Sequence, residues 1–281
     1  MKQLAKKIES LPDPLMRALT NNKYDAGDTD FSVTTLISPP QRTYLDTISE
    51  KIENVYSSFH ALLGSGVHAI IEGNVDEEAG EIAEKRYFMQ RQNYSISGQV
   101  DYYKDGVITD WKITGGVQTD MKPEHYKQVI LNGYLAEENG LKVDQVSVVY
   151  YMRDWKFLLS KFQPDYPKNP IAVFVAPYDR ALAESLFEKM IKDHSDAFNG
   201  NPRDCTEDEK WQKPPTFAVM KPEAKRASRV FDSLADAEEY QKDGQIIQSR
   251  PSERTYCTHF CGYSHSCKQF KRESIDTSND F

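Results

Sequence analysis

The stretch SISGQVDYYKDGVITDWKIT, residues 95–114, constrains the chain most. Asp105-Gly106 is a strong signal for a two-residue hairpin turn, whose central residues take positive φ. That turn pairs Lys104 with Val107, Tyr103 with Ile108, Tyr102 with Thr109 and Asp101 with Asp110. Two carboxylates then face each other with Cβ atoms about 5 Å apart, where like charges repel. Residues two apart share a face, so Lys112 joins both acids, while Val100, Trp111 and Ile113 point to the opposite, buried side. A divalent cation between the carboxylates makes the arrangement stable. Hard cations such as Mg²⁺ take oxygen ligands, acidify a water and polarise a phosphoryl oxygen. Lys112 then orients that water or balances charge on the phosphate. The competing reading is a solvated hairpin in which Lys112 compensates one acid.

Around the hairpin the chain reads as a mixed α/β (α+β) core. Residues 1–33 are a polar lead-in, and 34–37 a short segment ending at Ser38-Pro39-Pro40. Residues 41–72 look helical in two parts, the second starting after Gly64-Ser65-Gly66. Five acids and no base over 73–84 read as a solvated face. Strands are expected over 85–92, 94–104 and 107–114, a helix over 123–139 with Pro123 at its start, and a buried strand over 143–152. A Pro-rich loop follows over 163–170, then a long helix over 178–198. Residues 200–220 read as irregular, 233–242 as a short helix, and 250–272 as a basic, cysteine-rich tail. No apolar run approaches the ~20 residues of a membrane span, and the first residues lack the apolar centre of a signal peptide. A cytoplasmic protein with reduced thiols is expected. A net charge of −8 argues mildly against a general nucleic-acid coat, though not against a local basic groove.

Gly98-Gln99-Val100-Asp101 followed by Asp110-Trp111-Lys112 resembles the RecB-like branch of the PD-(D/E)XK nuclease superfamily. There a Gly-x-x-Asp strand precedes an Asp-x-Lys strand. Gly64-Ser65-Gly66-Val67-His68-Ala69-Ile70-Ile71-Glu72 is similar to the helix that precedes those strands, whose His holds the metal. His68 and Glu72 share a helix face. The family's Gln-x-x-x-Tyr motif is half kept: Gln128 is present, Asn132 stands four later, and Tyr134 reads as core packing. The resemblance spans about residues 34–270 and is closest to phage- and prophage-borne members. It implies a restriction-endonuclease-like core over 34–200, with a central mixed sheet flanked by helices. It implies a C-terminal lobe over 201–272 and a flexible tail over 273–281. It further implies phosphodiester hydrolysis with Mg²⁺ or Mn²⁺ held by His68, Asp101 and Asp110, with Lys112 catalytic and Glu72 and Gln128 of second rank. An exonuclease of DNA recombination, repair or phage DNA processing in a bacterial host cell follows. Its partners would be DNA ends or single strands and a helicase or a single-strand-binding or annealing protein. The alternative is a catalytically weak DNA-binding or assembly subunit with a structural metal.

Cys257, Cys261 and Cys267 lie close in sequence, and Cys205 is available as a fourth ligand. Clustered thiolates suit one metal centre. Some RecB-like nucleases carry an iron–sulfur cluster with a similar closing spacing, which implies a 4Fe–4S centre on Cys205, Cys257, Cys261 and Cys267. Zinc and unligated thiols remain open, with His259 and His265 as substitute zinc ligands. Residues 250–272 hold Arg250, Arg254, Lys268, Lys271 and Arg272 against one acid, Glu253. Lys268, Lys271 and Arg272 are candidates for phosphate contacts, as is the stretch with Lys221, Lys225, Arg226 and Arg229. Tyr102, Tyr103, Trp155 and Tyr256 are either stacking platforms for single-stranded bases or packing.

Overall fold

The computed structural model describes residues 12–20, 27–52 and 55–276. The expected lead-in over 1–33 and the tail over 273–281 lie partly outside the described residues. The chain divides into two compact units, Met1–Pro40 with Asn54–Asn201, and Gln41–Glu53 with Pro202–Phe281.

The first unit begins with α1 (Asp13–Thr20), β1 (Phe31–Ser32) and α2 (Val33–Leu36); α3 (Pro40–Ile48) then leads into the second unit. Back in the first unit come α4 (Val55–Glu72), β2 (Ile82–Arg91), β3 (Tyr94–Lys104), β4 (Val107–Thr114), α5 (Pro123–Glu138) and β5 (Gln145–Met152). They are followed by α6 (Phe157–Phe162), β6 (Ile171–Pro177) and α7 (Arg180–Phe198). Six strands form one sheet in the order β1-β3-β4-β5-β6, with β2 also paired to β3. The β1–β3 and β4–β5 pairs are parallel and the rest antiparallel. This is the mixed sheet flanked by helices that the sequence predicts.

Helix α5 crosses β3, β4 and β5, and α7 packs on α5. Every α5 residue from Val129 to Ala136 is buried, so the middle of this helix is enclosed on all sides rather than along one stripe. Close approach depends on Gly98: a Cβ there would lie 2.5 Å from both Asn132 Oδ1 and Leu135 Cδ1. Asn132 Nδ2 also donates to the Gln99 carbonyl at 2.9 Å. The position where the nuclease motif has a Tyr thus serves helix-to-strand packing, and Tyr134 is core, as expected.

The hairpin turn forms with positive φ at Asp105 and Gly106, and three of the four expected pairs follow, from Lys104↔Val107 to Tyr102↔Thr109. The Asp101–Asp110 pair is not part of the ladder. Strand β2 runs along one edge of β3 from Tyr94 to Tyr103, so β1, at Ile96 and Ser97, and β4 share the other. The hairpin strands therefore part after Tyr102, and Asp101 sits at the fork.

Three other expectations change. Helix α4 runs through Gly64-Ser65-Gly66 without a break; a helical Gly costs about 1 kcal/mol against Ala, which the surrounding turns offset. Strand β6 follows the Pro-rich loop, where the sequence predicts none. Strand β2 starts three residues before the expected 85.

The second unit holds, besides α3, α8 (Glu207–Lys210), β7 (Gln212–Lys213), β8 (Thr216–Met220), β9 (Arg229–Phe231), α9 (Leu234–Tyr240), β10 (Ile246–Arg250), β11 (Glu253–Arg254) and α10 (Lys268–Asp276). The stretch expected to be irregular over 200–220 holds α8, β7 and β8; β8 joins a three-stranded sheet in the order β10-β8-β9, and β7 a two-residue ladder with β11. A small core gathers Leu45, Tyr263 and Cys267, with Tyr44, Cys261 and Phe270 against it. Among the described residues no helix is long and apolar enough to cross a membrane.

Candidate metal and catalytic site

The fork in the sheet creates the site. Where β3 and β4 part, the Trp111 N–H donates to the side chain of Asp101 on β3, at Oδ2 and 3.0 Å. Asp101 is 9 % exposed and Asp110 2 %, so the carboxylates are buried and the solvated-hairpin reading does not hold. Parallel pairing with β5 sets Asp110 beside Val148 and Lys112 beside Tyr150. Lys112 Nζ donates to Asp110 Oδ1 at 2.9 Å and lies 2.7 Å from Oδ2, the latter without the alignment of a hydrogen bond.

Helix α4 brings His68 to this place. Its Nε2 lies 3.8 Å from Asp101 Oδ2, and its Nδ1 lies 2.8 Å from Glu84 Oε1. Among the described residues, His68, Glu84 and Asp101 form the one set of three metal-ligating side chains whose donor atoms all lie within 4.8 Å of one another. Glu84 is the member that sequence reasoning missed. It was counted with the solvated acids of 73–84, yet it stands in β2 between the pairs Ala83↔Tyr102 and Lys85↔Val100, opposite Asp101. The other Glu84 oxygen accepts from Gln99 Nε2, and Arg86 donates to Gln99 Oε1 at 2.7 Å, so a hydrogen-bonded row fixes the carboxylate. Two oxygen donors and an imidazole suit a divalent cation such as Mg²⁺ or Mn²⁺.

The electrostatics follow from burial. Burial and then the Asp110 charge push Asp101 up to about 7, against the pull of Lys112 and His68. Burial raises Asp110 as well, with Lys112 opposing. Burial works against the Lys112 ammonium, but Asp110 and Asp101 more than offset it and hold its pKa above the ordinary lysine value. The hydrogen bond to Glu84 raises His68, against the opposing effect of burial. On α5, His125 Nδ1 lies 2.8 Å from the Tyr150 hydroxyl, and burial followed by the charges of Lys112 and Lys122 lowers this imidazole to about 3.

The remaining expected site residues are placed differently. Asp110 is engaged by Lys112 and is not in the three-ligand set. Glu72 is exposed at the end of α4, and Gln128 is half-buried on α5; neither joins the cluster.

In the second unit, Cys205, Cys257 and Cys261 are half-buried and Cys267 is buried. Gln269 clamps Cys205 to α10: its Oε1 accepts the Cys205 N–H at 2.7 Å and its Nε2 donates to the Cys205 carbonyl at 3.0 Å. The Phe270 N–H donates to Cys267 Sγ at 3.4 Å. Burial, followed by the nearby charges of Glu209 and the other thiols, raises Cys205 to about 12. Burial and its neighbouring thiols raise Cys257 to about 11, with Arg254 and Lys210 opposing. Lys268 and Lys271 are exposed, and Arg272 pairs with Asp204 at 2.6 Å. Arg254 is not free for phosphate: it donates to Glu273 at 3.0 Å.

No family model matches the chain, and no curated protein matches it. Among solved structures it is similar to SSO0001, at 18% identity and a TM-score of 0.43, over 68% of this chain and 84% of that one. It is similar to a "putative exonuclease" of Eubacterium rectale, at 12% identity and a TM-score of 0.40, over 70% and 90%. A phage-related exonuclease of Haemophilus somnus aligns at 17% identity and a TM-score of 0.32, over 66% and 89%.

Proposed function

We propose that the first unit is a metal-dependent deoxyribonuclease of the RecB-like kind, acting as an exonuclease in DNA recombination, repair or phage DNA processing. The observation that carries this reading is the convergence of His68, Glu84 and Asp101 beside the buried Asp110–Lys112 pair. His68, Glu84 and Asp101 would hold the cation, with Asp110 joining if Lys112 turns toward substrate. A bound divalent cation supplies positive charge for the phosphoryl oxygens and acidifies a water. Lys112, kept charged by Asp110, sits ready to offset charge that develops on the phosphate. The Glu84 contact at Nδ1 also fixes the His68 ring and leaves Nε2 toward Asp101.

The second unit is read as a lobe closed by the four cysteines, with a 4Fe–4S cluster preferred to zinc. The charges of Cys257, Cys267 and Cys261 each raise the Cys205 pKa, so the four thiols are near enough to act on one another, which supports one shared centre.

Labelled linear and circular DNA, each with Mg²⁺, Mn²⁺ or EDTA, test the function. Degradation of the linear form with either metal, none with EDTA and an intact circle are expected. No hydrolysis of either DNA under any condition would refute the nuclease reading.

A further inference from the structure

Trp211 holds a backbone conformation that its side chain disfavours. It caps the four-residue helix α8 at φ 51° and ψ 49°, the left-handed region where glycine ordinarily ends a helix. It is the one aromatic residue with positive φ among the described residues. A bulky residue there is strained, and strain of this kind persists where the surroundings enforce it or function requires it.

The indole is not tucked away. Trp211 is 51 % exposed and Phe260 49 %. Trp211 meets Tyr256 and Phe260 at 5.1 Å between centroids in both cases, with interplanar angles of 63° and 56°. Neither neighbour lies flat on the indole. Tyr256 anchors the group, its hydroxyl accepting from Arg42 at 3.1 Å. His259 meets Phe260 at 6.5 Å between centroids, and Glu253 takes both Lys213 at 3.3 Å and the His259 ring at 3.2 Å. The surrounding segment over 250–272 carries Arg250, Lys268 and Lys271 besides Arg254 and Arg272, which are paired with Glu273 and Asp204.

We propose that Trp211 and Phe260 form a stacking platform for unpaired bases of single-stranded DNA, a binding site of the second unit's own. The inference rests on the nuclease reading for its choice of nucleic acid. Rings with an uncovered face, set in a basic segment, match a strand whose bases are unstacked and whose backbone is anionic. A duplex hides its base faces and does not fit.

Binding is measured by fluorescence anisotropy with the full chain, a labelled 15-nucleotide oligothymidylate and a 15-base-pair duplex, without added divalent cation so that no strand is cut. Trp211→Ala and Phe260→Ala are expected to weaken oligothymidylate binding about tenfold, with little change on the duplex, and Trp211→Phe to keep most of it. Trp211→Gly separates the two uses of the ring. A platform predicts weak binding with unfolding in urea no earlier than wild type, because glycine relieves the strained cap. Wild-type binding by Trp211→Gly, or no binding of oligothymidylate by the wild type, overturns the proposal. A chain that cuts no DNA yet loses oligothymidylate on Trp211→Gly would sink the nuclease reading alone.

Discussion

Replacing Asp101 by Asn tests the electrostatics of the fork directly. Asn keeps an oxygen for the Trp111 N–H and cannot ionise. In the folded chain burial and Asp110 lift the Asp101 carboxyl from its ordinary 3.8 to about 7. The fold therefore binds this proton more tightly than the unfolded chain does. The stability so gained is complete below 3.8 and is lost as pH rises through about 7. The span is about three pH units, or roughly 4 kcal/mol in total. His68 acts with the same sign, since its pKa is raised from 6.5. Without divalent cations the wild type should thus lose stability between pH 4 and pH 8. Asp101→Asn should match it near pH 4 and exceed it by up to about 4 kcal/mol at pH 8. Mg²⁺ at a hundred times its Kd should return about 2.7 kcal/mol to the wild type at pH 8 and far less to the variant. Urea unfolding followed by circular dichroism at both pH values, with and without Mg²⁺, reads all four quantities. A difference between the two proteins that does not change with pH, or a variant less stable at pH 8, would refute the reasoning.

Lys112→Ala should abolish hydrolysis in the DNA assay. It should also cost about 3 kcal/mol at pH 8, because it strands Asp110 as a buried charge, and the loss should shrink as pH falls, because burial raises the Asp110 pKa and a proton removes the charge. Glu84→Gln should weaken Mn²⁺ binding at least about tenfold by calorimetry and bring the His68 titration, followed by NMR, back down toward its ordinary value. His68→Ala should cost more activity in Mg²⁺ than in excess Mn²⁺, the better partner for imidazole; equal losses in both would show a packed side chain. Anaerobically purified protein should be brown and contain iron, and Cys261→Ser should lose the metal and become protease-sensitive beyond about residue 200. Metal-free wild type with Cys261→Ser equally stable would end the cysteine-centre reading.

What the sequence revealed was mostly local. The Asp-Gly turn and the Pro123 start of α5 are signals within a few residues, and both appear in the fold; the expected alternation does not, because Ile108, Thr109 and Asp110 are buried in a row while Trp111 and Ile113 are half-buried. What it hid depends on partners far along the chain. The fork at Asp101 arises because β1, about seventy residues earlier, takes part of the β3 edge, and no window around the hairpin contains that fact. Glu84 was masked by the acids before it. Its signal was that Ile82 and Ala83 already begin the strand, which sets Glu84 across from Asp101. Gly64-Ser65-Gly66 looked like punctuation, but the helix runs through it. Strand β6 was obscured by the prolines on both sides, and the β8–β9–β10 sheet by strands of three to five residues that pair across long loops.

The short ladder between β7 and β11 also bears on how this lobe could be rebuilt. Lys213 and Gln212 lie opposite Glu253 and Arg254, so the chain leaves for the three-stranded sheet and returns at neighbouring points. Everything from 214 to 252 is thereby an excursion whose two ends already meet, and all four cysteines lie outside it. Closure entropy grows only slowly with loop length. An excursion of this kind can be shortened to a tight turn, lengthened, or exchanged for a foreign domain while the ladder keeps its register. The lobe thus has a built-in socket for engineering.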